Sequence, residues 1–446
     1  MPLVHLALLA LAVIALVGLI GWPRWHGFFA LLATSAGFGL AAGQSISLIG
    51  KAFGTGFATT VQSAGLVILA SAVVLAVTVD SGAARWLSSI TEKWRGGSLR
   101  SAPPWMLLGM VAGLAATPTA AFAVLTPLRR CLEGRSRRCN AAAAVTLALA
   151  ISAGHGLLPP APGPMAAAAI LGADPTRLAL VGLPAAILAV LAAGVFVYAC
   201  RVLLPSGEQM PQRPSPAARE QPRRGLVALL AASLTMLALL IVQSLGEIAS
   251  EPFGIGPTRE LLLGLGRPGV LLFVGIGLAL LLTGRWGAAT LSEQGSAGRA
   301  VVGVAPLILT VGAAGGFQAL TQETGMAALL AEPLLDWRTG LMVPFAIAAV
   351  VKTAQGSSLV AAITAAGMMQ PALLTLGLDG SNGRALAAAA IGLGAMTTSH
   401  VNDPLFWLAS DAAGLHPGRG LALISLGTIV QGLVGLVTLA ALGMLL

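Results

Sequence analysis

Charged residues are scarce in this sequence. Asp, Glu, Lys and Arg make up 9% of its 446 residues, whereas soluble domains carry about 25%. No stretch is both long and polar enough to form a soluble domain. A Walker A motif for a nucleotide-driven motor is absent, and so are the HExxH and GxSxG motifs of hydrolases. The sequence therefore argues against an enzyme.

Cysteine is also rare. The three cysteines, Cys131, Cys139 and Cys200, are spaced for neither a disulfide framework nor a zinc motif. We expect no metal site and no cofactor apart from a coupling ion. The net charge of +9 lies mostly in short loops, as the positive-inside rule predicts for membrane proteins, and it does not indicate a nucleic-acid partner.

Hydrophobic residues, by contrast, make up 57% of the chain, and the mean hydropathy is +0.89. Several apolar segments reach the roughly 20 residues that cross a bilayer. They are 3–20, 57–79, 178–200, 226–245 and 420–446. The first lacks a basic start and a small-residue cleavage site, so we interpret it as a retained helix rather than a signal peptide. The pattern predicts an all-α, polytopic protein of the bacterial inner (plasma) membrane, surrounded by lipid.

Three basic loops set the expected topology. Residues 81–104, 129–138 and 201–224 are rich in Arg and are expected in the cytoplasm. The apolar segment 105–128 then begins and ends on the same side of the membrane, and Thr117-Pro118-Thr119 would break a helix at its centre. We predict a re-entrant helical hairpin with its tip at these three residues. A single kinked span with one misassigned loop is the alternative.

A second irregular segment follows. Residues 141–172 are too long for one straight span and are interrupted by His155–Pro164, which predicts a helix broken in mid-membrane, with 178–200 as the return span. Residues 204–224 are rich in Pro, Gln and Arg and are the predicted cytoplasmic linker. They separate an N-terminal unit, 1–203, from a C-terminal unit, 225–446, and both chain termini are predicted to be periplasmic.

The irregular features recur in the same order in the second half. The matches are Asp80-Ser81-Gly82 with Glu323-Thr324-Gly325 at an offset of 243, Thr117-Pro118-Thr119 with Gln355–Ser358, and 153–156 with 398–401. The charged loops place the second hairpin, 340–375, on the outside, with its tip at Ala354–Ser358. Two inverted repeats, each with three spans, a re-entrant hairpin, a broken helix and a final span, are typical of secondary transporters.

Small polar residues concentrate at the two tips and the two breaks, where helix N-termini also present unpaired N–H groups. Such a site suits an oxygen-rich anion, such as a hydroxylated carboxylate. The candidate substrate-binding residues are Thr117, Thr119, His155, Gly156, Gln355, Gly356, Ser357, Ser358, Ser399, His400 and Asn402. The alternative is that the small residues only allow close helix packing.

Ionisable side chains inside a membrane are costly and therefore suggest function. Asp403 is the strongest candidate for proton coupling, and His400 and Glu323 are weaker ones. Glu323 lies at a span end, where interfacial solvation is an adequate explanation. Lys352, close before the second tip, is expected to neutralise a substrate carboxylate or to pair with Asp403 or Glu323.

Five longer stretches carry a further signal. They are GTGFATTVQSAGLVILASAVVLAVTVDSGAA (54–84), AGHGLLPPAPGPMAAAAILGAD (153–174), VGAAGGFQALTQETG (311–325), AQGSSLVAAITAAGM (354–368) and SHVNDPLFWL (399–408). Together they resemble the gluconate permease family of proton-coupled organic-acid transporters, within the ion-transporter superfamily. The resemblance implies uptake of gluconate or a related sugar acid with protons, an elevator-type motion and a homodimer. It implies substrate or coupling roles for His155, Gln355, Gly356, Ser357, Ser399, His400, Asn402 and Asp403.

The sequence departs from the family pattern at two places. Family members carry an acid in a Phe-Phe-Glu/Asp-Val-Gly-like run of the first hairpin, where this chain has Thr119-Ala120-Ala121-Phe122. They also carry arginine where this chain has Lys352. A hydroxy acid other than gluconate therefore stays open as the substrate.

The main hypothesis is a proton-coupled symporter of gluconate or a related small hydroxylated carboxylate. A sodium-coupled carboxylate symporter stays open because unwound backbone carbonyls also bind sodium. A passive organic-anion facilitator or channel is a further alternative. A membrane enzyme or an assembly scaffold without transport is the remaining class.

Overall fold

The computed structural model describes residues 25–81, 102–114, 117–132, 136–159, 161–206, 222–246, 254–324 and 340–445, together with most of residues 8–19. Several sequence predictions fall on residues outside this part of the chain. These residues are most of the two basic segments 81–104 and 204–224, residues 325–327, and the acids Glu247 and Glu251 of the loop that follows α9. The topology and linker predicted on them therefore stay predictions.

The described residues form helices joined by short turns. In the first half they are α1 (Gly27–Ala41), α2 (Ile46–Thr60), α3 (Leu66–Asp80), α4 (Ala102–Ala112), α5 (Pro118–Leu132), α6 (Arg137–Leu157), α7 (Pro162–Leu171) and α8 (Pro175–Ala199). In the second half they are α9 (Pro222–Gly246), α10 (Pro257–Leu265), α11 (Pro268–Thr283), α12 (Ala288–Leu291), α13 (Ser296–Glu323), α14 (Met342–Gln355), α15 (Ser358–Met369), α16 (Ser381–Met396), α17 (Pro404–Ala413), α18 (Pro417–Gly420) and α19 (Leu426–Leu445). Single π-helical turns, Val61–Gly65 and Leu421–Ser425, precede α3 and α19.

Within the described residues, six helical stretches are long and apolar enough to cross a membrane, or seven if α10 and α11, bent by 57°, count as one span. The six are Ile46–Thr78, Arg137–Leu171, Pro175–Ala199, Arg223–Gln243, Ala288–Glu323 and Pro417–Leu445. Apolar side chains cover the outer faces of these helices, as lipid contact requires. The prediction of a polytopic helical membrane protein is confirmed.

The first predicted hairpin coincides with a pair of separate helices. The chain leaves α4 at Ala112 and enters α5 at Pro118, so Thr117 and Thr119 lie at the start of α5. Both helices pack on α6, and α5 packs on α3 and α9 as well. The pair runs from Ala102 to Leu132, so it extends beyond the predicted limits, 105–128, at both ends.

One part of the basic-loop prediction is wrong. Arg129, assigned to the loop 129–138, continues helix α5 and is fully buried. Its guanidinium donates to the Asn140 side chain, to Asn140 O at 2.7 Å and to Ala412 O at 3.2 Å. These acceptors stabilise the charge inside the protein, so the helix extends past the point where hydropathy predicts its end.

The second predicted hairpin is formed by α14 and α15, which pack on each other. They are separated by Gly356 and Ser357, within the predicted tip Ala354–Ser358. Gly356 has φ +78°, a left-handed backbone conformation that glycine adopts without strain. The chain therefore passes from α14 to α15 through a turn of only two residues.

The two helix breaks lead into closely similar segments. Helices α7 and α17 each have 10 residues, begin with proline and end at a glycine with φ 64°, Gly172 or Gly414. From the glycine onward the sequence is Gly-Ala-Asp-Pro-Thr-Arg in the first half and Gly-Leu-His-Pro-Gly-Arg in the second. Asp174 and His416 then cap the next helix with their side chains.

This similarity corrects the predicted match of 153–156 with 398–401. The two glycines are 242 positions apart, and His155 lies in the last turn of α6, whereas Ser399 and His400 lie in the non-helical segment between α16 and α17. The predicted match joins residues 245 positions apart, and the second break is longer than the first, so the segments just before α7 and α17 do not align at the spacing of the glycines. His155 and His400 are consequently not equivalent.

The two breaks meet where α6 crosses α16. A Cβ atom on Gly392 would lie 1.9 Å from Gly156 O, so both backbones approach as only glycine allows. Helices α8 and α19 pack on each other beside this crossing. The most deeply buried helices of the described chain are therefore those that carry the breaks.

Candidate functional site

A buried ion pair lies at the second break. Asp403 caps the N-terminus of α17, where its Oδ1 accepts from Leu405 N at 2.9 Å. Its Oδ2 lies 2.8 Å from Lys352 Nζ and accepts from Ser399 Oγ at 2.6 Å. Lys352 is 2% exposed and Asp403 is 8% exposed. Of the two partners predicted for Lys352, the structure places Asp403 beside it.

Lys352 reaches this position from the last turn of α14. Its ammonium also donates to Gly356 O at the hairpin tip. A Cβ atom on Gly356 would lie 2.4 Å from Asn402 O, so the tip fits against the break only as glycine. The lysine therefore joins the hairpin tip and the acid of the break within one contact network.

Two further residues of the break bind the end of α14. His400 Nε2 lies 2.8 Å from Thr353 O, and Asn402 Nδ2 donates to the same oxygen at 3.0 Å and to Ala354 O at 3.5 Å. Because a carbonyl only accepts, His400 carries its proton on Nε2, and its Nδ1 is an acceptor.

Three buried acceptors at this junction have no hydrogen-bond partner. They are Gln355 Oε1, His400 Nδ1 and Asn402 Oδ1. Buried polar atoms are almost always paired in proteins. Three unpaired acceptors beside an ammonium group therefore mark a place that is suited to a ligand carrying hydroxyl donors and a negative charge.

Two residues that sequence reasoning missed hold the break in shape. Ser425 Oγ donates to Ser399 O at 2.6 Å, and Ser399 N donates to Thr428 Oγ1 at 3.2 Å. Ser425 ends the π-helical turn before α19, and Thr398 has φ 59°, rare for a β-branched residue. The available signal was the group of polar residues, Ser425, Thr428 and Gln431, in a largely apolar span.

The predicted residues of the first half form a separate contact. His155 Nδ1 lies 3.2 Å from Gly113 O, just after α4, and Gly156 packs on Gly392. Thr117 and Thr119 are half-buried at the start of α5. The structure thus places His155 against the residue that follows α4, whereas His400 binds a carbonyl within α14 through its other ring nitrogen.

The remaining candidates have local roles. Ser357 caps α15 by accepting from Val360 N at 3.3 Å, and Ser358 is the half-buried first residue of that helix. Glu323 is exposed at the end of α13. The residues that the structure brings together are therefore Lys352, Gln355, Gly356, Ser399, His400, Asn402 and Asp403.

Comparison with known proteins points to transport. A family model described as GntP family permease matches residues 3–445. The high-affinity gluconate transporter of Escherichia coli is 28% identical, over 94% of this chain and 95% of that protein. The gluconate permease of Pseudomonas aeruginosa is 27% identical, over 94% and 93%, and an L-idonate transporter of Escherichia coli is 26% identical, over 94% and 95%. These relatives are transporters rather than enzymes.

Proposed function

The chain belongs to the GntP family of permeases, and we propose that it is a symporter that carries gluconate, or a related small hydroxylated carboxylate, together with a proton. The observation that carries the proposal is the buried Lys352–Asp403 pair, 2.8 Å apart, at the junction of a hairpin tip and a helix break. The names of the relatives support sugar acids as the substrate class.

Charge balance gives the coupling mechanism. A substrate carboxylate that binds Lys352 Nζ displaces Asp403 from its counter-ion. A carboxylate left alone in a buried site is strongly unfavourable, so Asp403 takes up a proton at Oδ2. The Ser399 hydroxyl then rotates to accept from the new O–H. The pair starts neutral and the loaded site, with ammonium, substrate carboxylate and neutral carboxyl, is neutral again.

The three unpaired acceptors give the preference for hydroxylated acids. Gln355 Oε1, His400 Nδ1 and Asn402 Oδ1 each accept one hydroxyl proton of the substrate. A carboxylate without hydroxyl groups would bury these atoms unpaired, which costs about 1–3 kcal/mol for each. Lys352 thus recognises the acid group, and the three acceptors select a polyhydroxylated chain.

The proposed architecture is a pair of inverted repeats that move as an elevator. Its support is the pairing of equivalent helices: α4 packs on α6 as α14 packs on α16, and α5 packs on α17 as α15 packs on α7. The shared ends of α7 and α17 support the same relation. The proposal keeps both chain termini in the periplasm and a homodimer as the working assembly.

Transport into liposomes tests the proposed function. Purified protein in liposomes, with a more acidic medium outside than inside, should accumulate radiolabelled gluconate above the external concentration. Lys352→Gln should abolish this uptake, whereas Lys51→Gln should retain it, because Lys51 is exposed on α2. Purely downhill flux would instead identify a passive facilitator or channel.

Sodium coupling is the second candidate, because unpaired oxygens such as Gln355 Oε1 and Asn402 Oδ1 are also suitable cation ligands. The same liposomes distinguish the two. Accumulation driven by a sodium gradient at equal pH on both sides would show that the coupling ion is sodium rather than a proton.

A further inference from the structure

A cavity lies away from the Lys352–Asp403 pair. It has a volume of about 670 Å³ and is lined by α3, α5, α13 and α17, together with the start of α1. The residues of the ion-pair cluster do not line it. One end of the cavity lies at Asp80, the last residue of α3, and at Ser296, the first residue of α13. The basic loops predict that this end faces the cytoplasm.

Two buried hydroxyls, on two helices of the lining that pack on each other, have no partner. Ser296 on α13 is 5% exposed and Ser410 on α17 is 3% exposed, and the Oγ of each makes no hydrogen bond. Serine hydroxyls inside helices usually bond a carbonyl one turn back, as Ser71 does on α3 at 2.8 Å. Neither hydroxyl is bonded to the protein, so a rotation about χ1 can present each one to a molecule in the cavity.

One face of α13 supplies positive charge. Ser296, Arg299 and Gly303 follow one another at helical spacing and all line the cavity. The capping position, Gly295, gives the 28-residue helix no side-chain cap, so its first N–H groups and its dipole favour an anion. Arg299 is exposed at the same end.

The acids in the cavity wall each have an arginine beside them. Arg285 donates to Asp80 O at 2.8 Å, and Arg129 donates to Ala412 O at 3.2 Å, next to Asp411. His26, the remaining ionisable group of the lining, caps α1 through Nδ1. Arg299, which also donates to Gln294 O, is thus the arginine that lines the cavity itself.

The inner end of the cavity reaches the helix break. Trp407 lines the cavity and donates its indole N–H to Val401 O at 2.7 Å. Val401 lies between His400 and Asn402 in the chain. Trp407 therefore contacts both the cavity and the backbone of the second break.

We infer that this cavity is a second, weaker binding site for the sugar-acid substrate, on the route between the ion-pair cluster and the cytoplasm. The inference rests on the proposed function. The carboxylate binds the N-terminus of α13 and Arg299, and the hydroxyl groups of the acid bind Ser296 on α13 and Ser410 on α17.

Filling the cavity tests the inference. A Cβ atom on Gly303 meets no atom within 4 Å, so Gly303→Leu places a side chain in the cavity without a clash. Gly277→Leu is the matched control, because Gly277 lies within α11, away from the cavity, and is equally unobstructed. Equilibrium binding of radiolabelled gluconate to purified protein is the measurement.

Wild-type protein and Gly277→Leu should bind two gluconates per chain, one tighter than the other. Gly303→Leu should lose the weaker one and Lys352→Gln the tighter one. Arg299→Gln should weaken the weaker class about tenfold, the loss expected for one charge-assisted contact, with partial recovery in Arg299→Lys.

Binding of a single gluconate by the wild type, with no effect of Gly303→Leu, would overturn the second site and leave the proposed function intact. Loss of binding only in Gly303→Leu, with Lys352→Gln unaffected, would refute the proposed coupling site instead. Phosphatidylglycerol that copurifies with the wild type but not with Gly303→Leu, without a weak gluconate class, would identify a lipid in the cavity and also overturn the inference.

Discussion

Three donors converge on the Asp403 carboxylate: the Lys352 ammonium, the Ser399 hydroxyl and the Leu405 amide. Breaking a buried ion pair by removing one partner typically costs about 3–5 kcal/mol, because the other charge is left without compensation. Such a pair is expensive to keep for stability alone. Its location beside three unpaired acceptors gives it a use, since a bound acid can replace one partner while a proton neutralises the other.

Asp403→Asn is expected to separate exchange from accumulation. Asparagine is a good helix cap, so the contact with Leu405 N is retained and α17 still begins at Pro404. The amide cannot take up the coupling proton. Counterflow of radiolabelled gluconate should persist and lose its dependence on pH, whereas uptake against a gradient should disappear.

A double variant provides the control for misfolding. Asp403→Asn leaves Lys352 without its acid partner, and Lys352→Gln combined with Asp403→Asn removes both charges, so the double variant should recover thermal stability without recovering accumulation. Accumulation by Asp403→Asn at the wild-type level would show that this carboxylate is not the coupling group.

At the scale of secondary structure, the site is built from the ends of helices rather than from their faces. The last turn of α14, the start of α15 and the start of α17 meet around the second break. Helix ends expose backbone groups that would otherwise be unpaired in the membrane. Ser357 and Asp403 bind the first N–H groups of their helices, and Thr353 O binds the side chains of the break.

Gly392→Ala tests the crossing of α6 and α16. The added Cβ would lie 1.9 Å from Gly156 O, and because a backbone carbonyl cannot rotate away, the helices must separate. Overpacking of this kind costs about 1–3 kcal/mol, so the Tm of the purified protein in detergent should fall and uptake should be lost.

Gly367→Ala is the matched control for this crossing. Gly367 lies on α15, where a Cβ meets no atom within 4 Å, and its Tm should stay within the range of ordinary surface substitutions. Equal Tm values for the two variants would show that α6 and α16 do not require the close contact.

The whole molecule must carry an anion through a low-dielectric layer. Each uncompensated charge moved across the membrane potential costs about 2.3 kcal/mol per 100 mV. The cluster avoids this cost if one proton enters with each monovalent acid, because the site is neutral both empty and loaded.

Electroneutral transport is therefore expected. In liposomes at a fixed pH gradient, potassium and valinomycin can set the membrane potential independently. The initial rate of gluconate uptake should be the same at zero and at inside-negative potential, whereas it should rise with the pH gradient. A rate that increases with inside-negative potential would mean that more than one positive charge enters with each gluconate.

Much of this protein is determined by local features of its sequence. The apolar segments predict a polytopic membrane protein, because hydropathy over about 20 residues is sufficient for membrane insertion. Glycine and proline mark the second hairpin tip and the breaks where the structure has them, since they restrict the backbone of their own residues. The acid at the second break was identifiable for the same reason, as a charge with an apolar segment on either side.

The tertiary structure alone decided which groups meet. It chose Asp403, 51 positions from Lys352, over Glu323 as the partner of the lysine, brought Ser425 and Thr428 to the backbone of Ser399, and buried Arg129 between α5, α6 and α17. It also set the match between the halves at 242 positions, at Gly172 and Gly414, whereas the sequence had matched 153–156 with 398–401, 245 positions apart. Contacts between distant segments depend on how helices cross, and helix crossing is set by packing in three dimensions, which hydropathy and local backbone preference do not encode.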